Sequence, residues 1–236
     1  MFLQRFKEHL TIHPQIAAAF EGFKTISSEY FKEHSETINN AGELYKHAVS
    51  NFIHGAFRCT ETPKILTVWG KLLLRTANVN DYNFINAAER DEDSTRWVNN
   101  WSLGQRIEKF GDNNFFQTIV ETNEGRAVGF IDFRDMLHDA QIELKRIVIT
   151  EKGNGYGKEA MYLSQKFAFE VLGRDRLYLG TKTANVRAQH VYHATGFTLV
   201  NPENIARFHI SRDDYKKMFV NKNDVVGGIF NENNSW

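Results

Sequence analysis

A single cysteine, Cys59, and three prolines are all that this 236-residue chain contains of those two residue types. One cysteine excludes an internal disulfide and any thiolate zinc cage, and a lone thiol in such a chain reads first as a packing residue. Charge of one sign is missing as well. The 29 basic and 29 acidic residues leave a net charge of +0, so no whole-chain field draws the protein to nucleic acid or to an acidic membrane. No stretch approaches the roughly 18 uncharged apolar residues of a membrane span. The first residues, Met1 to His9, are interrupted by charge too early for a secretory signal. A cytoplasmic protein with no nucleic-acid or membrane partner is expected. His9, His13, His34, His47 and His54 include no pair with a third ligand at metal-like spacing, so no metal is expected either. What the chain does have is 19 phenylalanines and 13% aromatic residues, the makings of a packed core.

Residues 1–62 read as a helical N-terminal extension. Ile16, Ala19, Phe20, Phe23, Ile26, Tyr30 and Phe31 recur at three and four, as do Leu44, Tyr45, Ala48, Val49, Phe52, Ile53, Ala56 and Phe57. Asn39 to Gly42 between them reads as a connector, so an antiparallel helical hairpin is expected. Its apolar stripe needs a surface to lie on, either the rest of the chain or a second copy, which leaves a homodimer through these helices open. Cys59 to Pro63 breaks the helical period and marks the boundary. Residues 63–214 then mix strands and helices. Two β-like pieces flank Gly70, and a helix begins near Asp81. Another is expected from Ser94, with Trp97 and Trp101 four apart on one face. Two strands surround Asn123-Glu124-Gly125, a hairpin signal. Beyond Asp214, residues 215–236 read as a polar, loosely held tail.

The most informative stretch runs from Ile142 to Gly173. A branched β run, Ile142 to Ile149, passes through Gly153, Gly155 and Gly157 into a helix that stops at Gly173. A helix N-terminus reached through glycines presents unpaired backbone N–H groups and partial positive charge, the setting in which phosphates bind. Three phosphate loops compete for it. A Walker loop needs Ser or Thr after its lysine, and Glu159 follows Lys158. A dinucleotide loop needs a third glycine at position 158 and an acidic residue at the end of the next strand. Neither is present, since that strand ends in Leu179-Gly180-Thr181.

The third fits. Lys152-Gly153-Asn154-Gly155-Tyr156-Gly157-Lys158 closely resembles the pyrophosphate loop of the GCN5-related N-acetyltransferases (GNAT family), with Lys152 where the family usually has Gln or Arg. Leu72 to Arg75 resembles the family's first strand, and Asn185-Val186-Arg187-Ala188 through Tyr192 to Gly196-Phe197 resembles its closing motif. The resemblance covers residues 65–212 and is most like the branch of ribosomal-protein alanine acetyltransferases and their small-substrate relatives. It implies an α/β fold with a mixed sheet, the GNAT-like acyl-CoA N-acyltransferase fold, and acetyl-coenzyme A as co-substrate. It also implies that the backbone of Lys152, Gly153, Asn154, Gly155, Tyr156, Gly157 and Lys158 holds the pyrophosphate. Ile147, Val148 and Ile149 match the strand that pairs with the pantetheine arm. Their side chains read as sheet core; a backbone N–H there would polarise the thioester carbonyl.

Transfer to an amine needs a base, and the leaving thiolate benefits from an acid. Glu143 matches the place where histone-type relatives carry a carboxylate. Period-two alternation puts Glu143, Lys145 and Ile147 on one face and Leu144, Arg146 and Val148 on the other. An ion pair with Lys145 or Arg146 is the competing reading. Tyr192 matches the tyrosine that protonates the leaving sulfur, against a reading as a core residue. Asn185 matches a cofactor contact and is equally a good helix N-cap. Arg187 is expected to reach the cofactor phosphates or to remain solvated. The resemblance thus implies an N-acetyltransferase that moves acetyl directly to a small-molecule or peptide amine. The rival is a catalytically silent acetyl-coenzyme A-binding sensor or interaction module.

Overall fold

The computed structural model describes residues 11, 13–34, 49–50, 52–56, 58–59 and 61–223, with the backbone alone for residues 23, 26–34 and 220–223. The expected connector at 39–42, the apolar residues Leu44, Tyr45, Ala48 and Phe57, and the last thirteen residues of the expected tail lie outside the described residues.

Eight strands form one sheet: β1 (Ile65–Trp69), β2 (Leu72–Thr76), β3 (Phe115–Thr122), β4 (Ala127–Arg134), β5 (Gln141–Ile149), β6 (Arg176–Lys182), β7 (Thr198–Asn201) and β8 (Ile205–Ser211). Their spatial order is β1-β2-β3-β4-β5-β6-β8-β7. Neighbours pair antiparallel except β5 and β6, which run parallel because a helical crossover separates them. This is the mixed α/β sheet expected from the sequence. The helices are α1 (Pro14–His34), α2 (Tyr82–Arg90), α3 (Glu92–Thr95), α4 (Leu103–Gly111), α5 (Tyr156–Lys166), α6 (Val186–Ala194) and α7 (Arg212–Asn223). The crossover α5 continues through a π-helical stretch, Phe167–Val171, to Gly173 at φ +67.

One face of the sheet packs on α5. Ile142, Leu144 and Ile149 of β5 join Ala160, Met161 and Leu163 in the main core. The other face packs on α2, with Ile119, Phe130 and Val148 against Ile85 and Ala88. The N-terminal layer is helical again over 52–56. Its Phe52, Ile53 and Ala56 meet Ile16 of α1 and Ile107 of α4 in a core of their own. The described part of the apolar stripe therefore lies on a helix of the same chain. Gly55 makes the approach close: a Cβ there would stand 1.7 Å from the Ile107 carbonyl oxygen.

Three expectations need correction. The helix expected from Ser94 through both tryptophans is only α3, and Trp97 and Trp101 fall on the irregular segment between it and α4. Ser102 then caps α4 by accepting from the Gln105 N–H while the Gln105 side chain accepts from the Ser102 N–H. The polar sequence after Asp214 begins as α7. Its Tyr215 is buried against Phe169, and its Phe219 meets Trp69. Alternation along β5 also fails, because the pairing with β4 slips. Asp132 faces Arg146 but Phe133 faces Leu144, so Lys145 is a bulge. Beyond it the faces exchange. Ile147 joins Leu144 on the α5 side, while Arg146 and Val148 share the opposite face with Glu143.

Candidate active site

β5 and β6 pair only from Gln141↔Arg176 to Leu144↔Leu179, and then diverge. The Thr150 N–H donates to the Val128 carbonyl at 2.9 Å. Counting back by two, the backbone groups of Val148 and Arg146 also turn towards β4, and those of Ile147 and Ile149 turn into the gap. A cavity of about 650 Å³ opens there, lined by Glu143, Lys145, Arg146 and Ile147 of β5 and by Tyr178 to Lys182 of β6. Asn185, Tyr192, Arg134 and Arg207 complete its wall with the segment from Trp97 to Trp101.

At the far end of β5 the chain enters the glycine turn. Gly153 and Gly155 hold φ of +86 and +81, conformations that side chains with a Cβ rarely adopt, and Gly155 is the residue before α5. A Cβ built on Gly153, Gly155 or Gly157 would meet nothing within 4 Å. The Lys158 and Glu159 N–H groups both turn back to the Gly155 carbonyl, whereas the N–H groups from Lys152 to Gly157 have no protein acceptor among the described residues. Asn154 is exposed and Tyr156 packs against the main core. Glu159, which breaks the Walker pattern, accepts from the Lys71 N–H at 2.9 Å and thereby ties α5 to the β1–β2 turn.

The side chains of the two cations beside the turn have partners within the protein. The Lys152 ammonium donates to the Ile149 carbonyl, and its pKa is held down by burial and then by the Arg187 charge. Arg187 itself lies 3.8 Å from Asp93 in an exposed ion pair. The sequence brought these two cations to one place, but with Asp91 and Asp93 beside them.

Inside the cavity, Glu143 is buried with Arg134 Nη2 at 2.5 Å and Lys145 Nζ at 3.6 Å from its oxygens. The Arg134 contact is close but poorly directed, and Glu143 Oε2 has no hydrogen bond. Arg146, the other candidate partner, points instead to Glu89 and Asp132. Tyr178 stands beside Glu143 across the β5–β6 pair. Its hydroxyl donates to Asp135, a non-glycine residue held at φ +64. Burial and that hydrogen bond push the Tyr178 pKa up. Tyr192 packs its ring on Phe208, with centroids 5.4 Å apart, and burial raises its phenol to about 12. Asn185 caps α6, its Oδ1 accepting from the Ala188 N–H at 3.2 Å, and also lines the cavity. Cys59 is fully buried, its thiol pushed up to about 12 by burial, away from this wall.

The structure thus gathers Glu143, Ile147, Asn185 and Tyr192 around one cavity. Sequence reasoning missed Arg134, Tyr178, Lys182 and Arg207, which reach it through strand pairing alone. Trp97 and Trp101 were singled out by their spacing, though as helix residues.

The sequence pattern of the acetyltransferase (GNAT) domain matches residues 71–198, more than half of the chain. Among solved structures, the fold is similar to that of spermidine N-acetyltransferase from Vibrio cholerae in complex with CoA and spermine. That match has 18% identity and a TM-score of 0.54, covering 62% of this chain and 98% of that one. A GNAT-family acetyltransferase from Bacillus anthracis matches with 16% identity and a TM-score of 0.52, covering 64% and 99%. At such identities the likeness speaks for the fold. No curated protein sequence matches the chain. Among the described residues, no helix is long and apolar enough to cross a membrane. The matched domain, the splayed strands and the glycine turn converge: the chain belongs to the GNAT acetyltransferase family and is an acetyl-coenzyme A-dependent N-acetyltransferase.

Proposed function

We propose that the protein transfers acetyl to a primary amine, of a small molecule or a peptide terminus, by direct attack within a ternary complex. The observation that carries this reading is the divergence of β5 from β6 beyond Leu144↔Leu179, with Tyr192 and Asn185 on the same cavity wall. Bound acetyl-coenzyme A supplies an activated thioester. The N–H groups from Gly153 to Gly157 hold its pyrophosphate at the α5 N-terminus, in space that a Cβ would enter freely. Ile147 and Ile149 offer backbone groups to the arm that lies in the gap, and the Ile147 N–H is the donor for the developing oxyanion. Lys152 and Arg187 add positive charge beside the turn.

Tyr192 is the proton donor to the departing sulfur. With its phenol at about 12 it stays protonated throughout the neutral range, as an acid must. Glu143 receives the amine's proton, directly or through water, from a position held by Arg134 and Lys145. The buried Cys59 thiol supports transfer without an acetyl-cysteine, since almost none of it is ionised at neutral pH. We read residues 1–62 as a helical extension, 63–214 as the catalytic domain and 215–236 as a tail with a helical start. Within the family, the motif texture supports the branch of ribosomal-protein alanine acetyltransferases and their small-substrate relatives.

The test measures thiol release from acetyl-coenzyme A over a panel of amines and peptide termini. Tyr192→Phe is expected to lower kcat with little change in cofactor affinity, and Gly155→Asp to abolish cofactor binding. Background release with every amine, despite tight acetyl-coenzyme A binding, would favour a silent sensor.

A further inference from the structure

The chain as a whole is neutral, but its cavity is not. Arg134, Lys145, Arg146, Lys182 and Arg207 line it together with one carboxylate, Glu143. Three of the cations are matched. Arg134 and Lys145 flank Glu143, and Arg146 is neutralised from beneath by Glu89 and Asp132. Among the described residues, Lys182 and Arg207 are not. The Lys182 ammonium donates, among the described residues, only to the Arg96 carbonyl, at 2.9 Å, which leaves its charge whole. Arg207 is exposed on β8 opposite Gly180 and has no carboxylate partner among the described residues.

These two residues share the sheet face of Glu143. Tyr178 neighbours Glu143 on β6, and alternation brings Gly180 and Lys182 to that face. Arg207, diagonal to Tyr178 across the β6–β8 pair, lies roughly 7–8 Å from it between Cα atoms. Gly180 between them adds no side chain. The wall therefore presents a matched carboxylate at one end and two unmatched cations at the other.

We propose that the acceptor is a primary amine that also carries a carboxylate, which Lys182 and Arg207 hold while the amine faces Glu143. The inference rests on the acetyltransfer reading of the same cavity. A polyamine, the ligand of the Vibrio cholerae neighbour, fits this wall poorly. One of its ammonium groups would face Glu143, as the proposed acceptor's does, but the next would face the positive charges of Lys182 and Arg207. A carboxylate on Arg207 gains charge-assisted hydrogen bonds with no competing acid to displace.

The experiment compares β-alanine, glutamate and an acidic tripeptide with their uncharged amides and with spermidine, by thiol release from acetyl-coenzyme A. The carboxylate-bearing amines are expected to have kcat/KM at least tenfold above their amides, with spermidine lowest. Arg207→Ala and Lys182→Ala should raise KM for the carboxylate acceptors about tenfold, leave the amides unchanged and leave acetyl-coenzyme A affinity unchanged. Turnover that favours spermidine or ignores the carboxylate overturns the proposal while the acetyltransfer reading stands. So does a loss confined to acetyl-coenzyme A affinity in Arg207→Ala, because the cations would then serve the cofactor phosphates. Silence with all amines refutes the acetyltransfer reading and this proposal with it.

Discussion

The Arg146 guanidinium lies 4.3 Å from the centre of the Trp101 ring, and in that position it joins the catalytic sheet to the segment that walls the cavity. The arrangement is held by buried charge. Glu89 of α2 receives Arg146 at 2.5 Å and Arg106 at 2.8 Å, and it accepts from the Trp101 N–H at 3.1 Å. Asp132 takes Arg146 at 3.2 Å and the Gln117 amide at 2.6 Å. Removing Arg146 leaves Asp132 buried without its cationic partner, which costs about 3–5 kcal/mol. Arg146→Ala is therefore expected to lower unfolding free energy by about that much. Because the same arginine donates to the Asn99 carbonyl, the surviving enzyme should also show a raised acceptor KM. Urea unfolding and steady-state kinetics check both, and an unchanged midpoint would remove the network from the account of stability.

Tyr192, the proposed proton donor, connects stability to pH. Its phenol rises from 10.0 to about 12 because it is buried, so the folded chain holds the proton more tightly than the unfolded chain does. Stability from this group is complete below pH 10 and is lost as pH climbs through 12. Two units correspond to about 3 kcal/mol. Wild type should lose more stability than Tyr192→Phe over this window, by roughly that amount, in urea midpoints measured at intervals from pH 9 to 12. The kinetic corollary is that kcat should show no alkaline fall from Tyr192 up to pH 10. A fall near neutrality that disappears in Tyr192→Phe would assign a much lower pKa to that phenol.

The features legible in the sequence were those that depend on neighbours along the chain. Gly153 and Gly155 are needed for positive φ, and Gly173 stops a helix, because of their own backbones. The strands of the sheet follow the same local logic. The helix Leu103–Gly111 was equally local: Ser102 and Gln105 form a capping box before Ile107 and Phe110, and the signal was overlooked. The bulge at Lys145 was different. It arises from the register of β5 against β4, set by residues more than ten positions away, and it moves Arg146 to the face of Glu143. Arg207 reaches the cavity only because β8 inserts between β6 and β7, which no spacing in the sequence announces.

The N-terminal layer has its own sensitive point. Gly55 packs against α4 so closely that an added Cβ would lie 1.7 Å from the Ile107 carbonyl and 2.8 Å from the Gly111 nitrogen. Both neighbours are backbone, so the segment must move away from α4. Overpacking of this kind costs about 1–3 kcal/mol, against the gain of up to about 1 kcal/mol that alanine brings to a helix. Gly55→Ala is expected to lower the melting temperature and to increase protease cleavage in the N-terminal region, with acetyl-coenzyme A affinity held. Improved stability would mean that the extension does not rest on α4 as described.

Gly157 provides the cleanest separation of fold from function. Unlike Gly153 and Gly155, it does not have positive φ, and it sits in the first turn of α5 with nothing within 4 Å of an added Cβ. Alanine there meets no protein atom and removes the helix cost of glycine, so Gly157→Ala should stabilise the protein by up to about 1 kcal/mol. Because helical Cα–Cβ bonds tilt towards the N-terminus, the new methyl should lean towards the donors from Gly153 to Gly157. If those donors hold the pyrophosphate, acetyl-coenzyme A should bind about tenfold more weakly, a loss of about 1.4 kcal/mol. Calorimetric titration alongside thermal unfolding reads the two effects independently. A more stable variant with undiminished cofactor affinity would place the pyrophosphate elsewhere, whereas opposite movement of the two quantities assigns the turn to binding.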